Sequence, residues 1–343
     1  MALEVEWMDG YDTSNSYVWK YPAAQIVVGG TTPAYSAVGG GFASYGRYID
    51  FTSQSLVVQG TGSNGAVSTR TWASHVQPRA GSNGYFLGFP NAAGVYEVRV
   101  AIDAANKLAI FRGTTLVATA AAALVNNTWY WISVRATIDG VDGKVDVVVN
   151  DQPTMSVTFA GNTSQSGGST CVNAAWGRIG TPTWYADNTL VGALMGQIPP
   201  TRIYFGLPSA NTAAVEFVAS AGTNNQNVDE NPPNTTDYNT GDPTALFSGH
   251  KPREAFPMSA LQSGLPAGVL AVQVSAVAAR TDVGTVNIGT YANRVASVSA
   301  LAGSASMLVG YSSAVGMFQN DPFTALAWAV SDVYATNWGY GIV

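Results

Sequence analysis

The sequence predicts an all-β protein: an antiparallel sandwich or jelly roll followed by a smaller β-domain. Three observations carry this. Between Tyr85 and Ala160, apolar runs of strand length are separated by turn signals at Asn106-Lys107, Arg112-Gly113, Asn126-Asn127, Asp139-Gly140, Asp142-Gly143 and Asn150-Asp151, which is the pattern of a β-meander. Short strands at near-regular spacing also fill the region before it, as in a sandwich and unlike a βαβ fold. No long segment carries an apolar period of 3.6 residues. The run Ala120–Val125 reads either as one helical turn or as the end of a strand.

In chain order, Leu3 to Trp7 alternates as a first strand. Residues 30–84 are rich in glycine, with short strands expected at Tyr48–Phe51, Ser55–Val58 and Ala66–Thr71. The clearest strand pair lies between Trp129 and Asn150. Tyr130, Ile132, Val134, Ala136 and Ile138 share one face there, and Ser133, Arg135 and Thr137 the other. Val145, Val147 and Val149 continue the apolar face after the turn, so one side packs and the other meets water. AWGRIG (175–180) reads as a strand. TPTWYADNTLVGALMGQIPP (181–200) reads as irregular and is ended by Pro199-Pro200. This places a boundary near residue 200, giving domains 1–200 and 201–343. The second domain begins with a strand at RIYFG (202–206) and contains a polar segment, 220–257, expected to be an extended loop of the kind that is functional or interface-forming. AVQVSAVAAR (271–280) and TVNIGTY (285–291) read as a strand pair across Thr281-Asp282, and Trp338–Val343 as a final strand held in a sheet or interface.

Charged residues make up 10% of the 343, far below the usual quarter, while 47% are hydrophobic. Such a chain is not disordered, and the scarcity of charge suits surfaces covered by neighbours. A net charge of −6 without a basic stripe argues against nucleic acid and against an anionic membrane surface. The single cysteine, Cys171, rules out an internal disulfide and reads as a small buried hydrophobe. MALEVEWMDG lacks the basic and apolar regions of a secretion signal, so folding in a reducing cytoplasm is expected.

The chemistry-bearing residues are few. His75, His250 and Cys171 lack metal-ligand spacing, and GTGSNG (60–65) lacks the lysine of a phosphate loop. Glu4 and Glu6 alternate with Asp9 nearby, the spacing a retaining glycosidase would use, yet acidic residues on an edge strand also prevent sheet-to-sheet aggregation. Asp139, Asp142, Asp146 and Asp151 read as turn and solvent-face residues. Trp184-Tyr185 is the candidate for stacking on a sugar. Asp229, Glu230, Asp237 and Tyr238, in the long polar segment, are the candidate assembly loop that grips a neighbouring subunit.

DGYD (9–12), FLGF (86–89), DAANKLAIFRGTTLVAT (103–119), NTWYWISVRATI (127–138) and DGKVDVVVND (142–151) together resemble the laminin-G/concanavalin-like jelly rolls of tailed-bacteriophage structural proteins. NNQNVDENPPNTTDYNTGD (224–242), LAVQVSAVAARTDVGT (270–285) and the segment 321–343 look like the later part of the same phage proteins. The resemblance implies a non-enzymatic virion component assembled in the host cytoplasm, in the head, neck or tail, with copies of itself and other virion proteins as partners. Its alternatives are a carbohydrate-binding module contacting host surface glycan and, behind that, a glycoside hydrolase. Lectin-type members hold Ca²⁺ in an acidic loop after the strand matched by AWGRIG. Here TPTWYADNTLVG, with Asp187 alone, stands in that place, and no cofactor is expected.

Overall fold

The computed structural model describes residues 4–9, 26–28, 49–50, 56–61, 66–179, 183–193, 196–201, 203, 206–212, 215–228, 236–259, 268–281, 284–294, 300–307, 309 and 311–343, with side chains from residue 66 onward except 178, 179, 312 and 313. They form two compact units, divided after Ile203.

The first unit is a pair of antiparallel sheets. One has the strand order β1 (Glu4–Asp9), β14 (Trp184–Ala193), β5 (Thr69–Pro78), β10 (Tyr130–Thr137), β11 (Gly143–Val149), β12 (Val157–Gly161), with β3 (Ile49–Asp50) also on β14. The other runs β2 (Ile26–Val28), β4 (Leu56–Thr61), β13 (Asn173–Ile179), β6 (Gly84–Pro90), β7 (Tyr96–Ile102), β8 (Lys107–Arg112), β9 (Thr115–Ala123). Trp72 of β5 and Trp184 of β14 meet Phe86 of β6 across the gap, with ring centroids 5.9 and 5.5 Å apart and all three side chains fully buried. Each such side chain contributes roughly 1.5–3 kcal/mol by leaving water.

The turn signals do the work their chemistry allows. Asn106, Asn127 and Asp151 sit at φ 59°, 63° and 53°, and Gly113 at 55°, the left-handed region these residues tolerate best. The meander is nevertheless divided. β6 to β9 run consecutively in one sheet, and after Asn126-Asn127 the chain crosses to supply β10 to β12 of the other. Ala120–Ala123 is the end of β9, not a helical turn.

Two expectations are corrected here. The segment read as irregular contains the ten-residue strand β14, which pairs with both β1 and β5. Its register slips between Asp187 and Leu190, where Asn188 takes φ 50°. This bulge places polar residues where alternation would demand apolar ones. Ser74 stabilises it, its hydroxyl donating to the Asp187 carbonyl at 2.9 Å and lying 2.8 Å from the Thr189 hydroxyl. The second correction concerns β10. Ile132, Val134, Ala136 and Ile138 are buried as the alternation demands, but the opposite face is not left to water. Residues 196–201 and 203 strap across it. The Trp131 indole donates to the Ile198 carbonyl (2.9 Å), the Ile198 N–H donates to the Ser133 hydroxyl (3.1 Å), and the Ile203 N–H donates to the Asn188 side-chain oxygen (2.8 Å).

The second unit has a four-stranded antiparallel sheet in the order β17 (Arg253–Phe256), β22 (Asn337–Ile342), β19 (Asn287–Asn293), β20 (Ala300–Ser306). A two-stranded ribbon of β18 (Val272–Ala278) and β21 (Ser312–Phe318) packs with it, and β15 (Val218–Ala219) pairs with β16 (Asn239–Thr240). The expected hairpin across Thr281-Asp282 does not form. β18 pairs with β21 along its full length, and β19 pairs with β20 and β22. Adjacency in sequence favoured the hairpin. The small residues Gly303 and Gly316 favour the observed arrangement, because Gly303 lies against the backbone of Val315 and Gly316, and a Cβ at either glycine would collide. The core gathers Ala292, Phe318, Trp328 and Trp338, the last at 5.6 Å from Phe318 and 5.3 Å from Trp328. Beside it Arg294 pairs with the buried Asp321 at 2.8 Å and lies over the ring of Phe323. A short helix, α1 (Val330–Ala335), leads into β22.

Candidate functional site

Trp184 is corrected as a stacking residue. Its ring is fully buried against Phe86 and its indole donates to the Gly177 carbonyl at 3.3 Å, so it offers no face to a sugar. It shares the inward face of β14, whereas the adjacent Tyr185 points outward by the period of two. Tyr185 is half-buried, with the Arg79 guanidinium 4.8 Å above its ring. The two do not form a common platform. The side chains of Glu4 and Glu6 lie outside the described residues. Their strand is an edge strand whose register slips between Val5 and Trp7, which interrupts the alternation the glycosidase spacing needs.

The region where the resemblance would put calcium does not offer the oxygens for it. Asp187 is the sole carboxylate there and is buried, and the Asn188 side-chain oxygen is engaged by Ile203. Ca²⁺ takes about six to eight oxygens. Among the described residues, no three of His, Cys, Asp and Glu gather as a metal site. His75 is buried with its ring 4.8 Å from Trp131, and His250 sits 3.6 Å from the Glu216 carboxylate. Cys171 is buried, bridging to Val67 through the backbone. Asp139 acts as a turn residue, accepting the Val141 and Asp142 N–H groups at 2.7 and 2.8 Å.

In the polar segment 220–257, Asp229 and Glu230 lie outside the described residues. Asp237 is half-buried and Tyr238 is half exposed at the end of the β15–β16 pair. The described part of the segment is not a free loop, because Glu254 ties it to the sheet. One Glu254 oxygen accepts the Phe217 N–H (3.2 Å) and the Asn224 amide (2.5 Å). The other accepts the Tyr340 hydroxyl (2.9 Å) and the Asn239 amide (3.1 Å). Burial pushes the Glu254 carboxyl above its ordinary value and outweighs these four donors. Burial, and then the adjacent Glu254 charge, push the Tyr340 hydroxyl well above the tyrosine range, so it remains a donor. The sequence showed a polar segment rich in Asn, Thr, Asp and Pro here. A buried glutamate some thirty residues from Asn224 leaves no local signature.

The surface best suited to a partner is the outer edge of β18, VQVSAVA. Among the described residues it pairs with β21 alone, in unbroken register from Val272↔Phe318 to Ala278↔Ser312. It carries no charge, no proline and no bulge, the devices that normally protect an edge. The contrast within the molecule is direct. Edge strand β1 has Glu4, Glu6, Asp9 and a bulge, and edge strand β9 has two register shifts. On the outward side of the ribbon, Ser275 and Val315 are exposed and lie opposite each other.

On the first unit, the outer face of the second sheet carries a different group. Gly88, Arg99, Phe111 and Leu116 stand directly opposite one another on β6, β7, β8 and β9. The Arg99 guanidinium contacts two tyrosine rings, 4.9 Å from Tyr85 and 4.7 Å from Tyr96, and Phe111 meets Tyr85 edge-on at 5.0 Å. Gly88 is required there, since a Cβ would run into the Tyr96 ring. Glu97, two residues from Arg99, is committed elsewhere. It is buried and accepts hydrogen bonds from Asn91 (2.8 Å), the Gln165 and Ser166 N–H groups (2.6 and 2.9 Å), and the Ser164 and Ser166 hydroxyls. Burial alone would raise its carboxyl, but the Ser166, Asn91 and Gln165 donors outweigh it and hold the value below the ordinary one.

Together these define the class: an antiparallel two-sheet β-sandwich followed by a smaller β-unit. No family model matches the chain, and no curated protein matches it. Among solved structures it is similar to alginate lyase vAL-1 from Chlorella virus, at 14% identity and TM-score 0.36, over 54% of this chain and 100% of that one. It is similar to domain 4 of AbnA, a GH43 extracellular arabinanase from Geobacillus stearothermophilus in complex with arabinotriose, at 12% identity and TM-score 0.37, over 58% and 95%. It is also similar to the VIP36 exoplasmic/lumenal domain in its Ca²⁺/Man3GlcNAc-bound form, at 10% identity and TM-score 0.35, over 58% and 93%.

Proposed function

We propose that the chain is a non-enzymatic structural component of a tailed-phage virion, tail-associated or on the capsid surface, that works by non-covalent assembly with copies of itself and with other virion proteins. The observation that carries the assembly part is the unguarded edge of β18. Among the described residues its seven uncharged, unbulged positions pair on one side only, and a further strand added to the other side would satisfy that edge. A two-stranded ribbon is marginal by itself and gains from a third strand. The low charge of the whole chain agrees with surfaces that are covered when the protein is at work. The virion part rests on the sequence resemblance. Its test is location: an antibody against the purified chain should label tailed particles produced from the genome that encodes it. Particles that carry no trace of the chain, with the chain found free in the infected cell, would overturn the virion reading.

A further inference from the structure

The Arg99 group on the first unit is independent of the β18 edge and has no role in assembly as proposed. Three features of it point to a ligand. The Arg99 guanidinium makes cation–π contacts with both the Tyr85 and the Tyr96 ring, which hold the charge in place at this surface. The Arg99 Nε is buried without a hydrogen-bond partner, so a ligand would pair with the outer amino groups of the guanidinium. The nearest carboxylate along the strand, Glu97, is saturated by its own five donors, so the cation is not neutralised from that side.

What lies beside the cation decides the kind of anion. In register with Arg99 are Phe111, half-buried, and Leu116, 55% exposed, on the next two strands. Two strand spacings make an apolar strip about 10 Å long leading away from the charge. A bare phosphate or sulfate would use the guanidinium and leave this strip idle. A chain of sugar rings would use both: a planar carboxylate matches the guanidinium fork, and the apolar C–H face of a pyranose lies on an aromatic or aliphatic surface.

We propose that the Tyr85–Arg99–Tyr96 clamp, with the Phe111–Leu116 strip, is a binding site for an acidic saccharide, the carboxylate of a uronic acid pairing with Arg99 and the neighbouring sugar ring lying on Phe111. The site differs from the Trp184-Tyr185 pair that the sequence offered, and it lies on the opposite sheet of the sandwich.

The test is calorimetric titration of the full chain with a uronic-acid oligosaccharide, the matched neutral oligosaccharide, and inorganic phosphate. The expected result is saturable, salt-sensitive binding of the uronate oligomer alone. Arg99→Ala should weaken it by about tenfold or more, the scale of lost charge-assisted hydrogen bonds. Arg99→Lys, which keeps the charge and loses the fork, should fall between. Leu116→Asp alters an exposed position that does not support the core, and should also weaken binding by repelling the uronate. Equal binding of the neutral sugar, equal binding of phosphate, or uronate binding unchanged in Arg99→Ala and Leu116→Asp would each overturn the proposal, as would no binding to the wild type.

Discussion

Replacing Ile198 with alanine should destabilise the first unit by about 2–4 kcal/mol. Ile198 is 2% exposed and anchors the strap of residues 196–201 and 203 on the outer face of β10. The substitution removes three carbons, worth about 2.4 kcal/mol at ~0.8 kcal/mol per buried methylene, and the unfilled space adds to that. The backbone hydrogen bonds to Trp131 and Ser133 should survive, so the loss reports packing alone. Trp131→Phe makes the complementary change: it keeps a ring and removes the indole donor 2.9 Å from the Ile198 carbonyl. An orphaned buried carbonyl costs about 1–3 kcal/mol. Because both act on one strap, the double variant should fall short of the sum by at least ~0.5 kcal/mol. Tryptophans in both units would blur a fluorescence readout, so the assay is urea-dependent hydrogen exchange on peptides from β5 and β10. A loss below about 1 kcal/mol for Ile198→Ala, within the range of ordinary surface changes, together with strict additivity, would refute a seated strap.

Other consequences can be checked separately. Ser275→Lys places a charge in the unprotected strand at an exposed position and should abolish self-association while leaving the thermal transition of the monomer nearly unchanged; retained oligomers would move the interface elsewhere. Trp184→Ala should cost about 3–5 kcal/mol as a core deletion and leave saccharide affinity of the folded protein unaltered, read by denaturation and by titration. Glu97 and Glu254 should contribute to the pH dependence of stability with opposite signs, Glu254 against the lowered carboxyl of Asp321 in its own unit. The lowered carboxyl of Glu97 gives stability that is present above the ordinary carboxylate range and lost as pH falls through its folded value. The raised carboxyl of Glu254 gives stability that is full below that range and lost as pH rises through its folded value. Hydrogen exchange across pH should show both slopes, and Glu97→Gln and Glu254→Gln should each flatten its own. Slopes of one sign that survive both substitutions would remove the linkage.

Strand identity was legible wherever local chemistry decides it. Asn106, Asn127 and Asp151 announce their turns because few other residues accept a left-handed backbone, and Ile132, Val134 and Ala136 announce their face by a period of two. Pairing between distant strands was not legible. β14 lies beside β5, more than a hundred residues earlier, and its bulge at Asn188 puts polar side chains where a strand pattern expects alternation. The strap was hidden for a related reason, since Ser133 and Trp131 look like a wet face until Ile198 is laid over them. Of the sites, the Trp184-Tyr185 pair misled because adjacent residues on a strand face opposite ways. One signal for the Arg99 clamp was present: a glycine inside the aromatic strand FLGF marks a place where something large comes close, here the Tyr96 ring. Nothing local says that Tyr85, Tyr96 and Arg99 meet.

Assembly is the central claim, and the mass of the purified protein in solution tests it most directly, measured by sedimentation across a dilution series for the wild type and Ser275→Lys. A defined homo-oligomer is expected for the wild type and a monomer for the variant. A wild type that stays monomeric at every concentration, or an oligomer indifferent to the β18 substitution, would contradict it.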